Sequence, residues 1–278
     1  MAAATTLFVL LVSCVILTIY GLPVDVLIPP PQVETNGDGA APKGLNPQLI
    51  AGGFEGDMMF PDGADPARGV AIIGKRQWPN GVIPYDMSAI TNVQDQQKIT
   101  NAMNTLMYAV GTPIADSQSR TACVFFRPRQ PSDKDYISIR YGSGCSANVG
   151  YTQGFQSKVT LQQNGCFYTG TIQHELMHVL GFFHEQSRPD RDNYLQINLQ
   201  NVRPDMTHNF EKYAWGSSVY NQGTPYDYKS VMHYETTAFS MNGKPTMVPR
   251  QAGATIGRAE MLSALDIAEV RHFYGCKA

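Results

Sequence analysis

Charge is scarce in this chain. Only 16% of its 278 residues are Asp, Glu, Lys or Arg, and the formal net charge is −2. No stretch forms the basic stripe that nucleic-acid binding needs, so a nucleic-acid partner is excluded. Asn-x-Ser/Thr occurs nowhere, so N-glycosylation is not expected. Histidine is rare, at six residues, and cysteine is limited to five. Long apolar runs are missing apart from residues 7–20, which carry no charged side chain. That run is too short and too close to the start for a typical membrane span, and it reads as the apolar region of a secretory signal peptide cleaved near Gly21. Cys14 would leave with it. Cys123, Cys145, Cys166 and Cys276 remain, an even number in an exported domain, which predicts two disulfides with three pairings open.

What is present is an ordinary globular composition, 43% hydrophobic. Its charge is unevenly placed. Residues 22–69 hold seven acidic and two basic side chains, a net of −5, and residues 70–278 hold 16 acidic and 19 basic ones, a net of +3. An acidic leader before a mildly basic domain fits a segment that docks on its own domain. The leader is rich in Pro, Gly, Asp and Ala and reads as irregular. Within the domain, Val82-Ile83-Pro84-Tyr85 reads as a short strand, with Pro84 suggesting an edge or strand end. Ile99, Met103, Leu106, Met107 and Val110 fall on one face of an amphipathic helix. Strands are expected at Cys123–Phe126, Tyr136–Tyr141 and Lys158–Leu161, and a helix from about Gly170 to Leu180. The stretch from Ser187 to Ala254 should be mostly loops. Ser263 and Asp266 form a capping box for a last helix, whose buried face is Ile267, Val270 and Tyr274.

Three of the six histidines lie in HELMHVLGFFH, residues 174–184. On a helix His174 and His178 are one turn apart on one face, where two neutral imidazoles can share one Zn²⁺. Glu175 is placed to take a proton from a metal-bound water. Gly181 lets the chain leave the helix through positive φ, and His184 can return as a third ligand. The extended pattern H-E-x-x-H-x-x-G-x-x-H is the metzincin signature. Downstream, Ser230-Val231-Met232-His233-Tyr234 supplies a methionine where a Met-turn would run beneath the metal.

These residues resemble one family closely, the astacin metallopeptidases. The resemblance rests on HELMHVLGFFHEQSRPDRDNY, on SVMHY, on WPNGVIPY at residues 78–85, on GSGC at 142–145 and on VTLQQNGC at 159–166, and it runs from about Val70 to Cys276. It implies an α+β catalytic domain. A twisted, mostly antiparallel-edged sheet and helices make the N-terminal half, and an irregular C-terminal half ends in a helix, with the zinc cleft between. The implied organisation is a signal peptide over 1–21, a pro-segment over 22–69 and one zinc peptidase domain over 70–278. The implied activity is that of a secreted, monomeric zinc endopeptidase on proteins or peptides, made as a zymogen and free of the membrane once the signal is removed. A catalytically silent binding domain on the same fold is the alternative, and a hydrolase of non-peptide substrates is another. Intact His174, Glu175, His178, His184 and Tyr234 argue against the silent domain.

The resemblance further implies one Zn²⁺ on His174, His178 and His184, with Tyr234 ligating it in the resting enzyme and hydrogen-bonding the oxyanion during turnover. Glu175 is the implied base, Glu185 the buried contact of the mature N-terminus, and Met232 the Met-turn residue. Phe54-Glu55-Gly56-Asp57 matches the pro-segment motif F-x-G-D, which makes Asp57 the inhibitory ligand of the proenzyme. The implied pairings are Cys123–Cys276 and Cys145–Cys166, and in the chain-entropy picture the longer loop contributes roughly 4–5 kcal/mol and the shorter roughly 3 kcal/mol. Maturation is expected beside Arg68-Gly69. A substrate strand should add around Cys145-Ser146-Ala147. At Ile256-Gly257-Arg258-Ala259, Ala259 takes the S1′ position and Arg258 falls one residue early, so no preference for acidic residues carries over.

Overall fold

The computed structural model describes residues 26–31, 46–61, 76–216, 219 and 222–277. The expected signal peptide, with Cys14, and the expected cleavage site at Arg68 and Gly69 lie outside the described residues. Strands and helices organise the rest. The strands are β1 Leu27–Ile28, β2 Met58–Met59, β3 Val82–Asp86, β4 Thr112–Pro113, β5 Arg120–Thr121, β6 Phe125–Pro128, β7 Ile137–Tyr141, β8 Cys145–Asn148, β9 Ser157–Leu161, β10 Leu195–Ile197 and β11 Met247–Pro249. The helices are α1 Val93–Val110, α2 Thr169–Leu180 and α3 Ala264–Phe273.

A six-stranded sheet in the order β2-β8-β9-β7-β3-β6 forms the N-terminal half. β9, β7, β3 and β6 are mutually parallel, and β8 runs antiparallel to β9. β1, β5 and β4 make a small antiparallel sheet, and β10 pairs antiparallel with β11 in the C-terminal half. Of the two positions Pro84 suggested, an edge or a strand end, the edge is corrected: β3 lies between β7 and β6. Pro84 is tolerated there because pairing with β7 begins only at Tyr85, so the missing N–H breaks no ladder bond on that side. The leader is less irregular than its composition suggests. Among its described residues it contributes β1, a 3₁₀ turn over Pro47–Ile50, and β2.

α1 starts at Asn92, whose side chain accepts from the N–H groups of Gln94 and Asp95. All five apolar positions read from its periodicity are buried, each contributing roughly 1.5–3 kcal/mol relative to exposure. They join the sheet and α2 in the larger core, with Ile83, Ile137, Ile139, Leu161, Ile172 and Leu176. A second core holds Leu195, Val202, Phe210, Tyr226, Tyr234, Phe239 and Met247. α2 therefore sits with one side in the larger core and its histidines facing the C-terminal half. Trp78 Nε1 donates to the Val179 carbonyl at 2.9 Å, tying the end of α2 to the chain entering β3. α3 carries the capping box read from Ser263 and Asp266. Disulfides join Cys123 to Cys276, with Cα atoms 5.4 Å apart, and Cys145 to Cys166, 5.8 Å apart.

Candidate metal centre

α2 ends where glycine was expected to end it. Gly181 has φ 105°, its N–H donates to the carbonyls of His178 and Met177, and the Phe182 N–H donates to Met177. This left-handed cap turns the chain sharply. It brings His184 back beside His174 and His178, with ring centroids 5.2 and 4.8 Å away respectively.

Each imidazole has its Nδ1 side occupied. His174 donates to the Val231 carbonyl at 2.7 Å, His178 to the Phe182 carbonyl at 2.8 Å and His184 to Glu55 Oε2 at 2.8 Å. Those bonds place the lone pairs on Nε2, and the three Nε2 atoms face one point. Asp57 fills the fourth side. Its Oδ2 lies 3.1 Å from His174, and its Oδ1 lies 3.1 Å from His184 and 3.4 Å from His178. The four ligand atoms fall within 4.8 Å of one another, and all four residues are buried. His178 Nε2 and Asp57 Oδ1 have no hydrogen-bond partner, a costly state for buried polar atoms unless they bind a metal. Three imidazoles, neutral once a metal takes their Nε2 lone pairs, and a carboxylate suit one tetrahedral Zn²⁺.

Electrostatics follow from burial and crowding. Burial alone would raise the Asp57 pKa, but His184, His174 and His178 outweigh it and hold the carboxyl well below its usual range. Burial pushes His178 down to about 4. Burial also lowers His184, but the Asp57 and Glu55 carboxylates prevail and lift it to about 9. Glu175 is fully buried beside the site, and its Oε2 has no partner. Burial, then the charge of Asp57, pushes its pKa well above the ordinary range.

The turn under the histidines is anchored from α3. Asp266 accepts from Ser230 Oγ at 2.6 Å and from the Val231 N–H at 3.0 Å, and the same carboxylate caps α3. The Val231 carbonyl is thereby set to receive His174. Met232 is buried, and its carbonyl accepts from the Glu185 N–H. Tyr234 packs its ring 4.7 Å from that of His184, and its hydroxyl donates to the Glu55 carbonyl. Glu185 accepts from the Asp227 N–H at 2.7 Å and lies 3.4 Å from Arg188. Burial raises its pKa well above normal, against the pull of Arg188.

The strand expected to receive substrate, β8, is covered by β2. The two run parallel, the Ala147 N–H donating to the Asp57 carbonyl at 3.0 Å and the Val149 N–H to Met59 at 3.1 Å. Arg258 is held by Glu235 at 2.6 Å. Ala259 abuts the start of α2, where a Cβ on Gly170 would lie 1.9 Å from its carbonyl oxygen. Sequence reasoning missed Asp266 as an anchor of the Met-turn, and it missed Glu55. The signal for Glu55 was a second acidic residue in the motif that supplied Asp57. For Asp266 there was none beyond its capping-box position.

Comparison with known proteins agrees with this arrangement. The sequence profile of the peptidase family described as Astacin matches residues 71–275. The zinc metalloproteinase nas-14 of Caenorhabditis elegans is 42% identical over 201 residues, which is 72% of this chain but only 37% of that relative's length. The low choriolytic enzyme of Oryzias latipes is 36% identical over 229 residues, 80% of this chain and 78% of the relative. Among solved structures, high choriolytic enzyme 1, a hatching-enzyme zinc protease of the same fish, superposes with a TM-score of 0.62 at 35% identity, covering 72% of this chain and 94% of that one. Three converging histidines, two on α2 and one beyond its glycine exit, a methionine turn below them and a profile match over residues 71–275 place the chain in the astacin family of peptidases.

Proposed function

We propose that the chain is a secreted zinc endopeptidase, made as a zymogen, that hydrolyses peptide bonds in proteins. The observation that carries the reading is the convergence of three Nε2 atoms beside a buried carboxylate, Glu175, that has an oxygen without a partner. Zinc, when bound, polarises the scissile carbonyl and lowers the pKa of a bound water toward ~7. Glu175 takes the proton of the attacking water and passes it to the leaving amine. Tyr234 donates its O–H to the oxyanion of the tetrahedral intermediate. The Ala147 and Val149 N–H groups, freed of β2, receive the substrate as an added strand.

Latency follows from the same contacts. Asp57 sits among the three histidines, β2 covers the receiving strand, and the Tyr234 hydroxyl is engaged by the Glu55 carbonyl. Loss of the leader removes all three. It also withdraws the Asp57 charge that helps to raise the Glu175 pKa, which favours the ionised carboxylate that a base must be. A cavity of about 90 Å³ beside Glu185 is lined by Phe183, Arg188, Tyr213, Trp215 and Glu269. It is suited to receive the new amino terminus produced by cleavage next to Arg68-Gly69, since an ammonium there offsets buried carboxylates. No helix among the described residues is long and apolar enough to cross a membrane, and the active species is taken to be a monomer.

The test is tryptic processing of the purified proenzyme, N-terminal sequencing, and turnover of a denatured protein substrate. The reading requires a chain beginning at Gly69 or Val70 with activity abolished by chelation and restored by zinc. A processed, zinc-loaded chain that cleaves no protein would overturn it.

A further inference from the structure

Glu55 is held in the leader by both its backbone and its side chain. Paired main-chain bonds between Phe54 and Met58 and between Gly53 and Gly56 close a tight hairpin, and Glu55, Gly56 and Asp57 form its tip. Glu55 has φ 46°, a left-handed conformation more readily adopted by glycine or asparagine. Its side chain is 1% exposed. One oxygen accepts from His184 Nδ1 at 2.8 Å and the other from Ser187 Oγ at 2.7 Å, while its carbonyl accepts from Tyr234. The three histidines thus differ in one respect. The Nδ1 partners of His174 and His178 are main-chain carbonyls of the catalytic domain, which stay when the leader is lost. The partner of His184 is a carboxylate that leaves.

We propose that Glu55 is a removable positioning residue for the metal ligand His184, a second latch beside Asp57. A carboxylate on the far nitrogen of a ligating imidazole fixes the ring and raises its basicity as a donor. The proenzyme therefore holds its zinc more tightly than the mature enzyme, for two reasons, the Asp57 ligand and the Glu55–His184 bond. Activation removes both. The strained backbone at Glu55 fits this role, because a backbone held in a sparsely populated region persists only where its surroundings over-determine it. The inference rests on the zinc zymogen proposed above.

The experiment is zinc release from the full-length proenzyme to a chelating chromophore, for wild type, Glu55→Ala, Glu55→Gln and Asp57→Ala, before and after processing. Glu55→Ala should release zinc about 10–100-fold faster than wild type, the range for loss of an outer-shell partner. Glu55→Gln, which can still accept from His184 but lacks the charge, should fall between. After processing, all four samples are the same chain and must release zinc at one rate, faster than the wild-type proenzyme, and that identity also verifies folding. If Asp57→Ala accelerates release while Glu55→Ala does not, the second latch is wrong and the zymogen reading stands. If neither accelerates it, the zymogen reading fails as well. Should Glu55→Ala not fold, Ser187→Ala decides the matter: faster release in the proenzyme with no change in the mature form supports the latch, and an unchanged proenzyme overturns it.

Discussion

Replacing Asp57 by alanine in a proenzyme that cannot be cleaved separates ligation from steric cover. The carboxylate faces three histidine nitrogens at 3.1, 3.1 and 3.4 Å. Truncating one partner of a buried, hydrogen-bonded charge pair costs about 2–5 kcal/mol. At 1.4 kcal/mol per factor of ten, the population with an open site rises about 30- to 4000-fold. It does not reach the mature level, because the main-chain bonds from Ala147 and Val149 to the leader survive the change, at about 0.5–1.5 kcal/mol each. The assay is hydrolysis of a quenched fluorogenic peptide by Asp57→Ala and by its parent, both carrying Arg68→Gln. The expectation is clear activity in the variant against a silent parent. Equal silence from both would mean that the leader blocks the cleft by bulk alone, and the Asp57 ligand would be rejected.

Other expectations follow from the same geometry. Tyr234→Phe should keep zinc and fold while kcat falls by about 10–10³-fold, the scale for one transition-state donor; an unchanged kcat with a raised KM would reduce the tyrosine to packing or substrate binding. His233 is buried, its Nδ1 donating to the Tyr234 carbonyl and its Nε2 paired with the Tyr226 hydroxyl at 2.6 Å. Burial lowers its pKa from 6.5 to about 4, so the folded protein keeps it neutral while the unfolded chain protonates first. Its contribution is whole above about pH 6.5 and is lost as pH falls toward 4, about 3 kcal/mol across that window. Denaturant titrations of the mature enzyme and of His233→Gln over this range should give a flatter pH dependence for the variant, and parallel slopes would contradict the assignment.

The parts of the fold legible in sequence were those written in local spacing. The face of α1, the glycine exit from α2 and the capping box of α3 each depend on residues within one or two turns, and all three are present. Pairing order was not local. Pro84 looked like an edge residue, and β3 is interior because β6 and β7, more than thirty residues further on, close on both sides of it. The leader looked irregular because its ordered pieces are short, and β1 and β2 take their strand partners from β5 and β8, far along the chain. At the site, the histidine spacing was readable because metal ligation dictates residue type, and Asp57 was readable only through the resemblance of residues 54–57 to a family motif. Glu55, Ser187 and Asp266 act by holding other groups, a role many residue types can fill, and their partners lie 129, 132 and 36 residues away.

The central claim, that Glu175 works as a base beside a metal it does not bind, is tested most directly by Glu175→Gln. The glutamine is nearly isosteric and leaves the three histidine ligands untouched. The measurement is zinc content and turnover of the processed variant in the same sample. One zinc per chain with nearly all turnover lost is the predicted result, and either loss of the metal or near-normal peptidase activity would contradict it.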